Sequence, residues 1–351
     1  MRRGESLPEV KVAYESWGQL SAANDNAVLV FTGLSPSAHA CSSAEDPAIG
    51  WWEYMIGPGK PIDTDRYYVV CVNSLGSCFG STSANSINPK TGKRYCAEFP
   101  ELTIEDIAKA GHHAMQELGV EHLCAVVGAS LGGMSSLAYA LQYPDEVDNV
   151  VTISGACRSM PLAIAMRSLQ REIVRCDPDW KNGCYELDEE PKNGMILARK
   201  LGLVSYRAAE EWNERFNRAR VDPGRRSNDK FGIEFEVESY LDYNAHKFVE
   251  NFDANSYLYL SRAMDLFDVA EHGGSVNAGL AKIHAKKTLV VGVETDILFP
   301  IQQQEEIYNG IKKAGRHVEF KRIESNKGHD AFLIDEELFT PVIKKFFDEI
   351  A

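Results

Sequence analysis

Short runs of apolar residues recur along the chain, and most of them are continuous rather than alternating with polar residues. A continuous apolar run is typical of a strand that is buried on both faces of a parallel sheet. Turn-forming residues follow most of the runs, so each run has the length of a strand. We therefore predict seven strands, at residues 10–14, 27–31, 67–72, 123–127, 149–153, 288–293 and 318–323.

Helical segments separate many of these strands. Thr103 and Asp106 have the spacing of a capping box, which predicts a helix that runs to about Leu118 and ends at Gly119. Further helices are predicted at residues 134–142, 301–314 and 339–350. This alternation predicts an α/β fold built on a mostly parallel, doubly wound sheet.

The alternation stops between residues 161 and 280, where the chain is rich in Arg, Glu, Asp, Asn and Tyr and its pattern is mostly helical. We predict that this segment is a helical lid inserted into the sheet domain, with residues 222–230 as a mobile loop. Residues 1–160 and 281–351 would then form the core. A chain of 351 residues is long enough for one large domain that carries such an insertion.

Composition narrows the class of function. The chain has 51 acidic and 37 basic residues, a net charge of −14, and no basic block that would favour nucleic acid or an anionic membrane. It has no apolar run near the length of a membrane span and no signal-peptide pattern. Its eight cysteines lack CxxC or zinc-site spacing. We expect a cytoplasmic protein that acts on small molecules and holds no metal.

The strongest chemical signal is a GxSxG motif centred on Ser130. An apolar run precedes it and a predicted helix follows it, which is the strand–turn–helix context of a nucleophile elbow. Gly128 and Gly132 fit the motif because a turn this tight leaves no room for side chains two residues from the serine. The alternative is an ordinary glycine–serine turn, and the flanking elements favour a nucleophile.

A serine nucleophile needs a base and an acid, which follow it in the order acid, then histidine, in this kind of fold. Asp296 comes just after the predicted strand at 288–293, and His329 lies in a loop before the last helix. Glu294 is the alternative acid, but it is closer to the strand and its side chain is longer. We therefore predict Ser130, Asp296 and His329 as a catalytic triad.

Two backbone amides are candidates for an oxyanion hole. The N–H of Leu131 lies at the start of the helix that follows the serine, where the helix dipole favours negative charge. The N–H of Leu34 lies in the turn after the strand at 27–31. The alternative for the second position is a turn without catalytic function.

Many short segments, in one order along nearly the whole chain, resemble the homoserine O-acyltransferases, which are acyl-CoA-dependent members of the α/β-hydrolase fold. The segments that carry the resemblance include 12–18 (VAYESWG), 57–60 (GPGK), 62–67 (IDTDRY), 80–82 (GST), 86–89 (SINP), 128–134 (GASLGGM), 237–241 (VESYL), 252–258 (FDANSYL) and 328–333 (GHDAFL). The resemblance implies an α/β-hydrolase fold, acyl-CoA as co-substrate with no bound cofactor, and a homodimer.

The resemblance also implies roles for particular residues. It gives Ser130, Asp296 and His329 the roles of nucleophile, acid and base, in agreement with the motif. It implies that Arg171 and Asp330 contact the amino-acid substrate. This fits the chemistry, because an arginine can bind the carboxylate of an amino acid and an aspartate its ammonium group.

Two departures from the homoserine acetyltransferase pattern resemble the serine O-succinyltransferase branch. The loop Leu34, Ser35, Pro36, Ser37 stands where Leu-Thr-Gly-Asp is usual, and we interpret it as a specificity loop. Arg167 stands where an asparagine is common.

Arg167 and Arg171 are four residues apart and so share one face of a predicted helix. A second buried cation needs an anionic partner, which a succinyl carboxylate would supply. Arg167 could instead bridge a lid glutamate, and Leu298 stands where some succinyl-using homoserine enzymes have arginine.

We therefore predict a serine O-succinyltransferase with an acyl-enzyme mechanism. Acetyl or succinyl transfer to homoserine is the alternative. A carboxylester hydrolase would show the same triad, and a binding module without catalysis is a further option.

Overall fold

A mostly parallel sheet of seven strands forms the centre of the protein, as a computed structural model shows for residues 1–186, 188–226 and 229–350. The strands are β1 (Tyr14–Trp17), β2 (Ala27–Phe31), β3 (Tyr68–Val72), β4 (Leu123–Ala129), β5 (Val147–Ile153), β6 (Lys287–Val293) and β7 (Val318–Ile323). Their order across the sheet is β1-β3-β2-β4-β5-β6-β7. β1 pairs antiparallel with β3, and all the other neighbours in this sheet are parallel. The predicted sheet is confirmed.

The first strand begins four residues later than predicted. Lys11 and Ala13 instead donate their backbone N–H groups to the hydroxyls of Thr82 and Ser81, at 2.8 and 3.0 Å. The carbonyl oxygens of the same two residues accept from the backbone N–H groups of Thr82 and Asn73. The apolar pattern at 10–14 therefore marks a segment bound by loop residues, through side chains and backbone, rather than by a regular strand ladder. A propensity pattern does not distinguish these two kinds of partner.

The continuous apolar runs are buried on both faces, as predicted. In β2, Leu29 and Phe31 pack into the core on one side of the sheet, while Val28 and Val30 pack into the core on the other. Burying a side chain of this size contributes roughly 1.5–3 kcal/mol, so the central strands hold the sheet rigidly at its carboxyl edge.

Helices flank the sheet. They are α1 (Ile104–Glu117), α2 (Leu131–Gln142), α9 (Ile301–Lys313), α10 (Ala331–Ile334) and α11 (Glu336–Ile350), with α3 to α8 between β5 and β6. The capping box predicted for α1 is present, because Thr103 accepts from the N–H of Asp106 and Asp106 accepts from the N–H of Thr103. α2 begins directly after Ser130, three residues earlier than predicted.

The segment between β5 and β6 contains α3 (Pro161–Cys176), α4 (Lys192–Tyr206), α5 (Ala209–Arg215), α6 (Glu236–Val249), α7 (Ala254–Leu266) and α8 (Val276–Leu280). Its described residues add no strand to the sheet. We call this segment, residues 161–280, the lid. Within its predicted mobile loop, Ser227 and Asn228 lie outside the described residues.

A disulfide joins Cys96, before α1, to Cys184, between α3 and α4, with their Cα atoms 5.1 Å apart. The cysteine spacing gave no sign of it, because 88 residues separate the partners. No described helix is long and apolar enough to cross a membrane. The described residues also contain no group of three or more His, Cys, Asp or Glu side chains that could hold a metal.

Candidate active site

Ser130 stands on a sharp turn between β4 and α2, with φ 58° and ψ −121°. Non-glycine residues rarely adopt a positive φ, and such strain costs roughly 1–3 kcal/mol. The flanking glycines make the turn possible. A Cβ on Gly128 would lie 2.0 Å from the carbonyl oxygen of Gly132, and a Cβ on Gly132 would lie 2.3 Å from that of Phe31. The motif therefore has the steric basis that the sequence predicted.

The three residues of the predicted triad lie in one line of hydrogen bonds. Nε2 of His329 is 2.7 Å from Oγ of Ser130, and its Nδ1 is 2.6 Å from Oδ2 of Asp296. The side chains of His329 and Asp296 are 5% and 0% exposed. This is the geometry in which a histidine can take the proton of a serine hydroxyl while a carboxylate fixes its tautomer.

Asp296 is oriented by the backbone that follows it. Its Oδ1 accepts from the N–H groups of Leu298 and Phe299, at 2.9 and 2.8 Å, so Oδ2 faces the histidine. Glu294, the alternative acid, is exposed and pairs with Arg322 on the surface. Of the two candidates the structure brings Asp296 to the histidine.

The charge of Asp296 acts on His329. Burial lowers the pKa of His329, but the Asp296 carboxylate, its hydrogen bond and the charge of Asp330 together raise it more, so the net pKa is above its ordinary value. A histidine in this environment holds a proton more strongly than in water. It is therefore suited to accept a proton from a hydroxyl and to pass it to a leaving group.

Both predicted oxyanion donors lie at the serine. Leu131 is the first residue of α2, and its N–H is among those that have no acceptor within a helix. Leu34 lines the cavity above Ser130 together with Gly33, Ser35 and Pro36. Ser37, the last residue of the predicted specificity loop, instead accepts at its carbonyl oxygen from the indole of Trp51, at 2.9 Å. The loop is therefore fixed at its far end.

The cavity beside Ser130 has a volume of about 110 Å³. Pockets for drug-sized ligands measure roughly 300–1,000 Å³, so this one is smaller than a drug-sized pocket. The side chains that give it charge or hydrogen-bonding capacity are Ser130, Arg167, Gln170, Arg199, Tyr206, Tyr257, Ser261, His329 and Asp330.

Arg167 lines this cavity, and two of its three guanidinium nitrogens are hydrogen-bonded within the protein. Its Nε donates to Oδ1 of Asp265 at 2.7 Å, and its Nη2 to Oγ of Ser159 at 2.5 Å. Its Nη1 is buried without a hydrogen-bond partner in the described structure. Arg167 thus bridges a lid carboxylate, as the alternative interpretation expected, although the partner is an aspartate. It nevertheless keeps one donor free.

Arg171 is not among the residues that line the cavity at Ser130. Its guanidinium binds Oδ2 of Asp265 at 2.7 Å and Oγ of Ser261 at 2.9 Å. It lines a separate cavity instead, together with Arg175 and Trp180. The two arginines that share a helix face thus lie on opposite sides of one buried carboxylate.

Sequence reasoning missed Arg199, on α4, which lines the cavity. Its guanidinium stacks over the ring of Phe248, at 4.2 Å from the centroid. No carboxylate lies within ion-pairing distance of it in the described structure, and its Nε is buried without a partner. Tyr206, seven residues later, shares its helix face, but this spacing is not a signal by itself, because a charged residue on a helix is usually solvated. Arg199 is therefore a cation that an anionic ligand could pair with.

Asp330 also lies at the cavity, next to His329 in sequence. Burial raises the pKa of its carboxyl, while the neighbouring cations, Arg207 foremost, act in the opposite direction. The cavity therefore places a carboxyl group on the side of His329 and two guanidinium groups on the lid side.

Comparisons with known proteins agree with the fold. The family model described as "alpha/beta hydrolase fold" matches residues 26–336. A serine O-succinyltransferase of Litchfieldella anticariensis is 54% identical over 347 residues, which cover 99% of this chain and 95% of that protein. An L-serine/homoserine O-acetyltransferase of Streptomyces lavendulae is 52% identical, with coverage of 100% and 95%.

Solved structures show the same fold. The homoserine O-acetyltransferase of Bacillus anthracis superposes with a TM-score of 0.88 at 28% identity, covering 97% of this chain and 92% of that one. Esterase E22 superposes with a TM-score of 0.85 at 30% identity, covering 96% and 94%. A transferase and an esterase therefore share this scaffold, so the fold does not distinguish the two reactions.

Proposed function

The chain belongs to the α/β-hydrolase fold family and, within it, to the serine and homoserine O-acyltransferases, and we propose that it transfers the succinyl group of succinyl-CoA to the hydroxyl of L-serine. The observation that carries the proposal is a small cavity at Ser130 that contains two arginine side chains with unpaired donors, Arg167 and Arg199. Succinyl transfer to serine brings two carboxylates to this cavity. One belongs to the acyl chain and the other to the amino acid.

In the first half-reaction, Ser130 gives its proton to Nε2 of His329 and attacks the thioester carbon. The N–H groups of Leu34 and Leu131 are the proposed donors to the oxyanion. The carbon–sulfur bond breaks, and the CoA sulfur takes the proton from His329. The product is an ester between Ser130 and the acyl group.

In the second half-reaction, the hydroxyl of the amino acid gives its proton to His329 and attacks that ester. The bond to Oγ of Ser130 breaks, and the proton returns to this oxygen. Arg199 binds the carboxylate of the acceptor, in place of the Arg171 that the resemblance implied, and Asp330 binds its ammonium group. These charges hold the hydroxyl close to the ester carbon.

Arg167 is the residue proposed to recognise the acyl chain. Asp265 and Ser159 fix its orientation, so the free Nη1 is ready for the distal carboxylate of a succinyl group. A pre-oriented guanidinium loses little side-chain entropy when it binds a carboxylate. An acetyl group has no carboxylate and would leave this buried donor without a partner.

The proposed reaction also implies a co-substrate, an oligomeric state and a location in the cell. Acyl-CoA is a co-substrate and no cofactor is needed, because the triad supplies the acid–base chemistry. We also propose a homodimer, since the lid exposes apolar side chains that a second copy could cover: Leu162, Leu169, Leu197 and Val204. A cytoplasmic location fits the use of succinyl-CoA.

Two observations support other candidates. The Streptomyces lavendulae relative is named as an acetyltransferase of serine and homoserine, which favours acetyl-CoA or homoserine. Esterase E22 shares the fold, which favours hydrolysis. The unpaired donors of Arg167 and Arg199 count against hydrolysis, because neither a water acceptor nor a neutral ester needs a cation in the cavity.

The test is a matrix of two donors, acetyl-CoA and succinyl-CoA, by three acceptors: L-serine, L-homoserine and water. Release of free CoA is measured, with the Ser130→Ala variant as background. We expect the highest kcat/KM for succinyl-CoA with L-serine. Equal or higher kcat/KM with homoserine or acetyl-CoA would overturn the assigned substrates, and release that is independent of an acceptor would indicate a hydrolase.

A further inference from the structure

The ion pair between Asp330 and Arg207 joins the loop of the catalytic histidine to the lid. Arg207 lies at the junction between α4 and α5, and its Nε is 3.3 Å from Oδ2 of Asp330. Their side chains are 12% and 19% exposed, so water screens the pair only in part. Nε of Arg207 makes no hydrogen bond in the described structure, so its contact with Asp330 is an ion pair only. Asp330 lines the cavity, and neither of its carboxylate oxygens accepts a hydrogen bond from a described residue, so it can still accept one from a ligand.

Arg207 is itself held in place by Glu211, one turn further along the lid. Its Nη1 donates to both carboxylate oxygens of Glu211, at 3.0 and 3.2 Å. Glu211 is 7% exposed and also lies 3.9 Å from Arg215 and 4.0 Å from Lys327. The orientation of the Arg207 guanidinium is therefore fixed before any substrate binds.

The backbones of the two segments also pack directly on one another. Gly328, which precedes the catalytic histidine, has φ +66°. A Cβ at this position would lie 2.8 Å from the carbonyl oxygen of Tyr206 and 2.9 Å from the backbone nitrogen of Ala208. Arg207 is between these two residues, so its Cα is fixed relative to the loop that carries Asp330.

The charge of Arg207 affects the protonation of Asp330. Burial raises the pKa of Asp330, and the cations that oppose burial are Arg207 first, then His329 when protonated, and Arg199. The Asp296 carboxylate acts with burial. Loss of Arg207 would therefore raise the pKa of Asp330 further, and more of the enzyme would carry a neutral carboxyl group at a given pH.

We propose that Arg207 is a positioning residue for the acceptor, which keeps the Asp330 carboxylate charged and oriented to bind the ammonium group of the amino acid. The inference rests on the proposed function, in which Asp330 receives that ammonium group. Arg207 does not line the cavity and touches no reacting atom. It acts through Asp330 alone, so it concerns the second half-reaction and not the first.

The experiment separates the half-reactions in Arg207→Gln. With the donor that wild type uses and no acceptor, the burst of CoA reports acylation of Ser130. Steady-state rates with the acceptor that wild type uses give KM and the pH profile of kcat/KM. We expect the burst rate to stay within about threefold of wild type, and the acceptor KM to rise by about tenfold or more.

The pH profile distinguishes positioning from a structural effect. His329 must be neutral in both half-reactions, whereas only the second needs the Asp330 carboxylate charged. In Arg207→Gln the acidic limb of kcat/KM for the acceptor should move to higher pH. The acidic limb of the burst rate should not move in that direction, because the Asp330 charge raises the pKa of His329 and its loss would lower that pKa. Arg207→Lys should restore most of the profile, because the positive charge returns.

Arg215→Gln is the matched control, since Arg215 lies near Glu211 but not near Asp330. We expect its KM and pH profile to match wild type. An Arg207→Gln variant with unchanged or lower acceptor KM would overturn the inference, as would an equal loss in both half-reactions. If Arg207→Gln does not fold, Arg207→Met, which removes the charge but keeps a side chain of comparable length, replaces it, with the same expected and the same contradicting results. A wild type without a burst would instead reject the proposed function.

Discussion

The two sides of the cavity are built in different ways. On the core side, Ser130 and Asp296 follow strands of the parallel sheet, and His329 follows β7, so the sheet edge brings all three together. On the lid side, Arg167 and Arg199 come from α3 and α4, and their positions depend on packing between helices. In the proposed function, the core side holds the groups for bond making and the lid side holds the groups for recognition.

The two sides also differ in how fully their hydrogen bonds are made. Each triad member has a partner within 2.7 Å. On the lid side, Nη1 of Arg167 and Nε of Arg199 are buried without partners in the described structure. An unsatisfied buried donor costs roughly 1–3 kcal/mol. The proposed binding of substrate carboxylates would remove this cost.

The largest expected effect comes from the core side. Asp296→Asn should lower kcat/KM by about 10⁴-fold, because the amide leaves His329 in the wrong tautomer to accept the serine proton. Release of CoA with the preferred substrates measures this. Glu294→Gln is the matched control, and it should stay within about twofold of wild type because Glu294 pairs with Arg322 at the surface. The reverse result would make Glu294 the acid.

The difference between the two sides explains what the sequence could predict. The sheet, the turn at Ser130 and the choice of Asp296 follow from local patterns: continuous apolar runs, a glycine two residues on each side, and a carboxylate just after a strand. Each of these has a local physical cause. The structure brings those groups together as predicted.

The lid side could not be predicted in the same way. Helical spacing placed Arg167 and Arg171 on one face, but it could not show that Asp265, almost 100 residues later on α7, lies between them. Arg199 gave no local signal, since a charged residue on a helix is usually solvated. The Cys96–Cys184 pair was missed for the same reason. Contacts between distant segments carry no signature in a single sequence.

The second prediction concerns the donor. Arg167→Leu should lower kcat/KM for succinyl-CoA by about 30- to 700-fold, which corresponds to a loss of roughly 2–4 kcal/mol of binding free energy. It should keep or improve acetyl transfer. Succinyl-CoA loses the buried ion pair between its distal carboxylate and Arg167. Acetyl-CoA has no such carboxylate and therefore loses nothing. Rates with both donors at fixed L-serine measure the ratio. A wild type that prefers acetyl-CoA, or an equal loss with both donors, would contradict the role of Arg167.

The smallest expected effect distinguishes two arginines of the lid, Arg199 and Arg171, as candidates to bind the carboxylate of the acceptor. Arg199→Leu should raise the acceptor KM by roughly 10- to 100-fold, the effect of losing a charge-assisted hydrogen bond of about 1.5–3 kcal/mol. The burst of CoA without acceptor should change little, because the acceptor carboxylate takes no part in acylation. Titration of the acceptor at saturating donor measures KM.

Arg171→Leu is the comparison variant, because it removes the same charge from a residue that does not line the cavity. It also removes one of the two partners of buried Asp265, so we expect a lower melting temperature. Its acceptor KM should rise much less than that of Arg199→Leu, since Asp265 keeps Arg167. If Arg171→Leu raised KM as much as Arg199→Leu or more, the acceptor carboxylate would lie nearer α3 than the cavity indicates. The role that the sequence resemblance implied for Arg171 would then replace the one proposed for Arg199.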